Sequence, residues 1–444
     1  MSIDWNSIQQ ETITHLQNLL RINTTNPPGN EIAAVTYLAE ILKKEGIPFQ
    51  IFEPSPGRAN LVARLKGSGE KKPLLLTAHL DVVPAEAAQW SHSPFSGDLA
   101  DGCLWGRGAV DMKQMAVMEL MMLLLAKRQG ISLSRDIIFA AVADEEAGCE
   151  WGSKWLVENK KELLDAEYAL NEVGGFSLYV DGAGEKIFYP IGVAERGVCW
   201  LTLKAKGNPG HGSMPHAHQA VVKLSQAAHQ LGTKDFPFHS HPVTRDFIST
   251  LASYQGGIRK LILKFLLIPG LNSFILKYLI PADKSYKFKP LFRNTVSPTI
   301  LHAGDKVNVI PSTAEMKIDG RILPGQTIEL FLRELEKIMG VELEQEINCA
   351  HEPTTSSYPN EFYRHLTQTL IRHDPQAVPV PYLIPGFTDS AHYRKLGIKC
   401  YGFVPLKLPR DMNFSEMFHG HNERVPVEGL MFGVKVLWDV MMGM

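Results

Sequence analysis

Several features that mark specialised classes of protein are missing from this sequence. The 45 Lys+Arg and 47 Asp+Glu residues give a formal net charge of −2, without the basic excess of a general nucleic-acid or anionic-membrane binder. The five cysteines are widely spread and form no Cys-x-x-Cys pair, which argues against a thiolate zinc site or a disulfide framework and favours a reducing compartment. The opening MSIDWNSIQQETITHLQNLL has no basic region before an apolar stretch, so we expect no secretory signal and a cytoplasmic protein.

A long unbroken apolar run is missing as well. The most apolar stretch, residues 259–281, is interrupted by Lys264, Lys277 and the Pro269–Gly270 pair. A membrane span needs about 20 nearly unbroken apolar residues, so we expect no span. The pattern predicts two short amphipathic helices around the Pro-Gly break. We expect them to pack inside the protein or at a subunit contact, and contact with a membrane surface or a hydrophobic substrate is the alternative.

The composition that is present belongs to a folded globular chain. Apolar residues make up 45% and charged residues 21% of the 444 residues, so the chain can bury a large core. At roughly 150 residues a domain, this length predicts two or three domains. Apolar runs at 61–65, 73–79, 136–144 and 166–172 alternate with helical patterns, including a long apolar helix over 112–127. The alternation predicts parallel βαβ units and an α/β fold with a mainly parallel, doubly wound sheet.

The pattern changes after about residue 193. A half-exposed strand over 197–207 precedes a helix over 220–231, and a second strand and helix follow further on. Strands with one solvated face, covered by helices on the other, predict a smaller α+β domain. We therefore expect a catalytic domain formed by residues 1–193 and 348–444, with the smaller domain, residues 194–347, inserted into it.

Acidic residues or histidine follow three of the predicted buried strands. The run PLLLTA leads into His79 and Asp81, IIFAAVA leads into residues 144–146 (Asp-Glu-Glu), and EYAL leads into Glu172. Ligands of open α/β sheets bind beyond the carboxyl ends of the strands, which places these groups at one edge. A further acid, Asp111, lies in the turn GRGAVDMK before the long helix. Each signal alone fits a solvated loop or a helix cap, but together the acids would repel one another unless a metal cation held them.

Five ordered segments resemble one known family. TAHLDVVP, WGRGAVDMK, ADEEAG, NEVGG and FHGHNERV, in this order and spacing, resemble the aminoacylase/carboxypeptidase family of dinuclear zinc hydrolases. That family includes acetylornithine deacetylase, succinyl-diaminopimelate desuccinylase, glutamate carboxypeptidases and N-acyl amino acid hydrolases. The resemblance covers nearly the whole chain and looks most like the carboxypeptidase S and N-acyl amino acid hydrolase branch. It implies that the inserted domain acts as a lid and as a surface for dimerisation.

The resemblance implies two Zn²⁺ ions per subunit, with Co²⁺ or Mn²⁺ as substitutes. Matched by motif, the metal ligands fall on five residues: His79, Asp111, Glu146, Glu172 and His419. Asp111 would bridge the two metals, because one carboxylate has two oxygens to share. His421 lies in the same FHGHNERV motif and remains an alternative to His419.

The same motifs imply three residues that serve the reaction. Glu145 would act as the general base that accepts a proton from zinc-activated water. Asp81 would hydrogen-bond the second ring nitrogen of His79 and fix its tautomer. His211, in GNPGHGSMPH, would hydrogen-bond the developing oxyanion, and in the family this histidine is often delivered across a dimer interface.

Substrate binding is implied for a separate set of positions. VNVIPSTAEMKIDGRILP resembles the family stretch that supplies an asparagine and an arginine, here Asn308 and Arg321. Arg321 has the planar fork that grips a carboxylate bidentately, although an exposed strand arginine is the ordinary alternative. The loop PGFTDSAH, around Gly386, would line the same carboxylate pocket.

Together these observations predict a zinc-dependent hydrolase that cleaves an amide or peptide bond next to a free carboxylate. Its substrate would be a small peptide or an N-acyl amino acid, as for a carboxypeptidase, dipeptidase or N-acyl amino acid amidohydrolase. The alternatives are a biosynthetic deacylase of the acetylornithine or succinyl-diaminopimelate type, and a metal-binding homologue without activity. We expect no nucleic-acid partner, and a homodimer through the inserted domain is implied by the resemblance.

Overall fold

The computed structural model describes residues 3–412 and 414–444, apart from the side chains at 283, 284 and 415. Contacts within the chain divide it into two compact units. The first unit comprises Met1–Val193, Ser356–Val380 and Thr388–Met444, and the second comprises Ala194–Thr355 and Pro381–Phe387. The chain thus leaves the first unit after residue 193 and returns to it at residue 356.

The α-helices, numbered along the chain, alternate with strands in the first half and again near the end. They are α1 (Trp5–Arg21), α2 (Glu31–Lys44), α3 (Lys113–Arg128), α4 (Ser153–Asn159), α5 (Ala220–Thr233), α6 (Pro242–Ser253), α7 (Gly257–Phe265), α8 (Pro269–Tyr278), α9 (Ala282–Phe288), α10 (Ile328–Met339), α11 (Glu361–His373), α12 (Ser390–Arg394), α13 (Phe414–Met417) and α14 (Val427–Met442).

The strands are mostly short, and several contain only two or three residues. They are β1 (Phe49–Ser55), β2 (Arg58–Leu65), β3 (Leu74–His79), β4 (Asp98–Ala100), β5 (Cys103–Trp105), β6 (Ile137–Val142), β7 (Tyr168–Asn171), β8 (Leu178–Tyr179), β9 (Ile187–Glu195), β10 (Gly197–Lys206), β11 (Gly210–His211), β12 (Thr295–His302), β13 (Val309–Ile310), β14 (Thr313–Ile322), β15 (Glu344–His351), β16 (Thr354–Thr355), β17 (Ala377–Ile384), β18 (Lys399–Gly402) and β19 (Arg424–Pro426).

The first unit is built on a large mixed sheet. Along its main path the strands run in the order β1-β2-β6-β3-β7-β18-β9. The four central strands, β6, β3, β7 and β18, are parallel to one another. The flanks are antiparallel, since β1 pairs in this way with β2, β2 with β6, and β9 with β18. Only residues 56 and 57 separate β1 from β2, so this pair is a hairpin. The predicted parallel, doubly wound character therefore applies to the centre of the sheet and not to its edges.

Helix α3 is the main cover of this sheet. Nearly all of its residues are buried, which agrees with the long apolar helix predicted over 112–127. It contacts β3 on one side and helices α1 and α14 on the other. A helix enclosed in this way carries apolar residues on most of its surface, which explains its methionine-rich sequence as core packing, although Lys113, Gln114 and Glu119 are buried with them.

The second unit has its own antiparallel sheet and core. The strand order is β12-β14-β10-β15, and β14 alternates buried and exposed residues along its length. Helices α5 and α10 pack on one face of this sheet, where Leu203, Met316 and Phe331 belong to a shared buried cluster. The region after residue 193 thus has the predicted pattern of strands with one solvated face and helices packed on the other.

The apolar stretch over 259–281 forms two helices separated by the Pro-Gly break, as predicted. Helix α7 ends at Phe265 and α8 begins at Pro269. The sequence pattern predicts that these helices pack inside the protein or at a subunit contact. Helix α7 has no buried residue, so packing inside the protein does not describe it, and the subunit contact stays a prediction. Among the helices of the described residues, none has both the length and the apolar character needed to cross a bilayer.

Candidate metal centre and active site

Three of the four central strands, β6, β3 and β7, carry the predicted side chains at the same edge of the sheet. His79 is the last residue of β3, Glu172 follows β7 directly, and Glu145 lies in a short turn after β6. The strands are adjacent and parallel in the order β6-β3-β7, so their carboxyl ends meet. The His79 Nε2 atom lies 3.2 Å from Asp111 Oδ1, 3.8 Å from Glu172 Oε2 and 4.0 Å from Glu145 Oε2.

A second group forms around the other oxygen of Asp111. The His419 Nε2 atom lies 3.4 Å from Asp111 Oδ2 and 3.1 Å from Glu146 Oε2. The two oxygens of Asp111 therefore face different histidines, which is the arrangement a bridging carboxylate requires. In the part of the chain that the structure describes, it is His419 and not His421 whose ring nitrogen meets these acids.

Asp81 is fully buried and makes more contacts than the sequence indicates. The nearest atom of Asp81 to His79 Nδ1 is the backbone carbonyl oxygen, at 3.0 Å, and the carboxylate Oδ1 lies at 3.5 Å. The carboxylate itself accepts the backbone N–H groups of Glu145 and Glu146, both at 3.1 Å. Asp81 thus connects the end of β3 to the acidic turn after β6.

A buried network, which we did not predict from the sequence, supports this turn. Asn26 donates to Asp81 Oδ2 at 2.8 Å and to Asp144 Oδ1 at 3.0 Å. The Arg58 guanidinium donates to the same Asp144 oxygen at 2.8 Å and makes a two-point pair with Glu31. All five side chains are buried. Asp81 and Asp144 lie in segments that the sequence motifs single out, whereas Asn26, Glu31 and Arg58 do not.

The loop that carries Asp111 is held by Glu423, another buried residue that the sequence did not single out. Glu423 Oε1 accepts the backbone N–H groups of Val110 and Asp111, at 2.7 and 3.0 Å. Its Oε2 accepts the Gly108 N–H at 3.0 Å and the Arg107 guanidinium at 2.7 Å. Since Glu423 lies four residues after His419, one motif supplies a histidine to the cluster and positions a second element of it.

Asp389 adds a further buried acid beside the cluster. It follows Gly386 in the loop PGFTDSAH and accepts a hydrogen bond from Ser153 Oγ at 2.5 Å. Burial raises the pKa of Asp389 to about 6. Cys149 is buried, and burial followed by the charge of Asp389 raises its pKa well above the usual range.

The electrostatics of the cluster reflect several acids in a space closed to water. Burial, followed by the charge of Glu172, raises the pKa of Glu145 well above its ordinary value. Burial also raises the pKa of Glu172 to about 7, and burial followed by the charge of Asp111 raises that of Glu146. Hydrogen bonds to Asp111 and Glu146 raise the pKa of His419 to about 10. Bound cations would relieve this crowding by favouring the ionised acids.

The donor set fits divalent cations. Two groups of potential ligand atoms, one of His79, Glu145 and Glu172 and one of His79, Asp111 and Glu146, each lie within 4.8 Å of one another. Among the described residues, Glu172 Oε1 is buried without a hydrogen-bond partner. Imidazole nitrogen and carboxylate oxygen without thiolate is the donor chemistry of catalytic zinc sites.

The remaining predicted positions lie in the second unit. His211, in β11, is exposed, and its neighbour Gly212 donates a backbone hydrogen bond to the Asn308 carbonyl at 2.8 Å. The Arg321 guanidinium makes a two-point pair with Asp319, at 2.8 and 3.0 Å. Gly386 is in the segment 381–387 of the same unit. The structure thus places His211 and Asn308 side by side, whereas Arg321 already has an acidic partner.

Comparison with known proteins gives the family context. A family model described as Peptidase family M20/M25/M40 matches residues 75–443. The chain is 30% identical to a probable carboxypeptidase S-like 2 from Dictyostelium discoideum over 83% of this chain and 71% of that protein. It is 30% identical to the N-fatty-acyl-amino acid synthase/hydrolase PM20D1 of Xenopus tropicalis over 81% of this chain and 70% of that protein. Aminoacylase-1 of Sus scrofa is 27% identical over 96% of this chain and 94% of that protein.

Solved structures show the same fold. An M20 family metallo-carboxypeptidase from Sulfolobus solfataricus superposes with a TM-score of 0.73 and 19% identity, covering 97% of this chain and 98% of that one. The YXEP protein of Bacillus subtilis, described as a dinuclear metal binding peptidase, gives a TM-score of 0.62 and 15% identity over 98% of both chains. The chain belongs to peptidase family M20/M25/M40 and is a hydrolase of that family.

Proposed function

We propose that the protein is a dizinc hydrolase that cleaves an amide or peptide bond next to a free carboxylate. The observation that carries this proposal is the position of Asp111, whose two oxygens face His79 and His419 at 3.2 and 3.4 Å. One carboxylate between two histidines, with further acids beside each, provides ligands for a pair of metal ions. This arrangement favours a dinuclear centre over a single structural ion.

Each metal position would have three protein ligands. His79, Asp111 and Glu172 would hold one ion, and Asp111, Glu146 and His419 would hold the other. When bound, two Zn²⁺ ions, or Co²⁺ or Mn²⁺ in their place, would polarise the scissile carbonyl and lower the pKa of a coordinated water to about 7. The dinuclear description of the Bacillus subtilis relative supports the count of two.

Glu145 would be the general base. Its backbone N–H is fixed by Asp81, and burial together with Glu172 raises the pKa of its side chain. A carboxyl group with a raised pKa accepts a proton from the attacking water and can return it to the leaving amine. Asp81 would orient both His79 and the turn that carries Glu145.

His211 would donate a hydrogen bond to the oxyanion of the tetrahedral intermediate. The backbone N–H of Ser213 donates to His211 Nδ1 at 3.2 Å, so Nδ1 is an acceptor and the neutral ring carries its proton on Nε2. That proton is available for the developing negative charge. We also propose that the inserted domain, which carries His211, serves as the lid and as the surface for a homodimer.

The substrate carboxylate would bind Arg321, with Asn308 and the loop at Gly386 lining the same pocket. Asp319 engages Nε and Nη2 of Arg321, so a substrate carboxylate would approach the Nη1 side of the guanidinium. The Xenopus tropicalis relative is named for N-fatty-acyl-amino acids, and this supports N-acyl amino acids with an apolar acyl group as the first substrates to test. Small peptides are the second class, and the cytoplasmic location stays a prediction.

A hydrolysis panel tests the proposal. The metal-loaded protein would be assayed, with Zn²⁺, Mn²⁺ or Co²⁺, on N-acyl amino acids of increasing chain length, dipeptides, N-acetylornithine and N-succinyl-diaminopimelate. Each substrate would also be tested with its free carboxylate converted to a carboxamide, so that the group proposed to bind Arg321 is missing. We expect cleavage of the free acids and little cleavage of the amides. Two bound metals without cleavage of any compound would favour the non-catalytic homologue, and cleavage confined to the ornithine or diaminopimelate derivatives would favour the biosynthetic deacylase.

A further inference from the structure

Helices α7 and α8 of the second unit present apolar side chains to solvent. In each helix three large residues stand at positions i, i+3 and i+7, the spacing of one helical face, and all of them are exposed. Exposure reaches 68% for Ile258 and 63% for Tyr278. We call this set the apolar patch: Ile258, Leu261, Phe265, Leu271, Phe274 and Tyr278.

The opposite side of α8 is already used for packing. Asn272, Ile275 and Leu276 are buried, so the helix has an inward face that satisfies the fold. The outward face of a surface helix normally carries charged or polar residues. Here Phe274, on that outward face, is 53% exposed. Large exposed apolar residues grouped along one helix face mark a surface that another body covers.

Buried hydrogen bonds fix which way this helix faces. The Asn272 side chain donates to the Leu266 carbonyl at 2.8 Å and accepts from Arg293 Nη2 at 2.8 Å. Arg293 is buried and also donates to the Phe236 carbonyl at 2.7 Å. Turning α8 so that its apolar face pointed inward would break these bonds and leave Nη2 of the buried Arg293 guanidinium without its acceptors on α8, Asn272 and Ser273. The patch is therefore held outward.

The charged residues of the segment that carries the apolar patch are all basic, and the first acids on either side of it are Asp246 and Asp283. From residue 247 to 282 the sequence contains no acidic residue but includes Arg259, Lys260, Lys264 and Lys277. Lys264 and Lys277 are exposed on the same two helices. The net charge of −2 for the whole chain conceals this local cationic segment.

We propose that the apolar patch docks on an anionic lipid surface. Amphipathic helices bind a bilayer by placing apolar side chains at the boundary between headgroups and acyl chains, while basic residues contact anionic headgroups. Lysine side chains are long enough to keep their ammonium groups at headgroup level while their stems lie along apolar surface. The proposal concerns where the enzyme is held and does not depend on which substrate it cleaves.

A second copy of the chain is the competing occupant. In a two-fold dimer the same patch meets itself, which would set the cations of α7 and α8 close to their own copies. Like charges at the edge of an apolar contact oppose its formation, and no acid between residues 247 and 282 is present to offset them. Charge complementarity thus favours the anionic lipid surface.

Vesicle co-sedimentation of the 444-residue chain, without substrate, tests the proposal. The probes are phosphatidylcholine vesicles with and without phosphatidylserine, each at low and high salt. We expect binding to the phosphatidylserine vesicles that weakens as salt increases and is weaker on phosphatidylcholine alone. Because no turnover is measured, failure of this experiment would not bear on the proposed hydrolysis.

Matched variants show which surface is responsible. Ile258→Ser with Phe274→Ser removes two side chains of the apolar patch and should weaken vesicle binding by about tenfold or more. The control pair, Leu99→Ser with Ile371→Ser, removes two exposed apolar side chains of the first unit and should bind like the wild type. Lys260→Glu and Lys264→Glu should each weaken binding to phosphatidylserine vesicles by about fivefold. All these residues lie at the surface, and thermal unfolding would verify that each variant folds.

Three outcomes would overturn the proposal. The first is no binding of the wild-type protein to either vesicle. The second is equal binding by the wild type and by the Ile258→Ser, Phe274→Ser pair. The third is a wild-type dimer that becomes a monomer in that pair without any vesicle binding, which would assign the patch to contact between copies.

Discussion

The carboxylate of Asp81 accepts the backbone N–H of Glu145 at 3.1 Å, although the two residues are 64 positions apart in the chain. Asp81 extends from the end of one parallel strand to the turn that follows its neighbour. The proposed general base is therefore held by the same residue that lies beside a proposed metal ligand, His79. Asp81 therefore contacts both a proposed metal ligand and the turn that carries the proposed general base.

Replacing Asp81 should consequently affect both metal binding and turnover. In Asp81→Ala the N–H groups of Glu145 and Glu146 lose their acceptor, and we expect metal affinity to fall by about 10–100-fold. The measurements are kcat/KM with excess Zn²⁺ and the metal retained after dialysis. Asp81→Asn keeps one acceptor oxygen and should be less impaired. Unchanged metal retention and kcat/KM in Asp81→Ala would contradict this account.

Glu423 should matter although it contacts no substrate. The variant Glu423→Gln retains the shape of the side chain but has one acceptor oxygen in place of two. Some of the N–H groups that Glu423 accepts, at residues 107, 108, 110 and 111, would therefore lose their acceptor. Each buried donor left without a partner costs about 1–3 kcal/mol. We expect lower thermal stability and weaker metal retention. Glu428→Gln, an exposed residue in the next helix, is the matched control. Equal metal retention in both variants would show that Glu423 does not position Asp111.

Removing Arg58 from its buried ion pairs with Glu31 and Asp144 should be strongly destabilising. Arg58→Met leaves two buried carboxylates without their cation, which we expect to lower the free energy of unfolding by about 3–5 kcal/mol. Arg333→Met removes an exposed ion pair with Glu329 and should cost no more than about 0.5 kcal/mol. Urea denaturation of the two variants measures the difference, and similar values for both would contradict the assigned role.

Local sequence patterns were sufficient to predict the centre of this site. Apolar runs identify buried strands, and parallel strands place the residues that follow them at one edge, which is how His79, Glu145 and Glu172 could be grouped in advance. The family motif supplied His419, which does lie against Asp111.

The supporting contacts could not be predicted in the same way. Asn26 and Asp144 are 118 positions apart, and Asp111 and Glu423 are 312 apart, so no local periodicity connects them. The exposure of α7 escaped prediction for a related reason. An amphipathic pattern identifies a helix and its apolar face, but only the surrounding chain determines whether that face is covered.

Acid sensitivity should include a contribution from Asp136, which directly precedes β6, at the opposite end of that strand from Glu145. Burial alone would raise its pKa, but the Gly67 N–H, Arg64 and Lys66 outweigh burial and lower the pKa to about 2. A lowered folded-state pKa stabilises the fold above the unfolded pKa of about 3.9, and that stabilisation disappears as the pH falls toward 2.

The test is a comparison of wild type with Asp136→Asn across pH. We expect Asp136→Asn to be less stable by about 1–2 kcal/mol at neutral pH, and the difference to shrink between about pH 4 and pH 2. Asp165→Asn, at an exposed position, serves as the control. A stability difference that stays constant with pH would show that the charge of Asp136 is not responsible.

The central claim is that Glu145 moves the proton while the other acids and histidines hold the metals. Glu145 Oε2 lies only 4.0 Å from His79 Nε2. The potential ligand atoms of His79, Glu145 and Glu172 all lie within 4.8 Å of one another, so by distance alone Glu145 is also placed to bind a metal. Metal content and turnover of Glu145→Ala, measured on the same preparation, separate the two roles. The account predicts two metal ions per chain with turnover reduced by about 10²–10⁴-fold. Loss of bound metal in parallel with turnover would contradict it and make Glu145 a ligand.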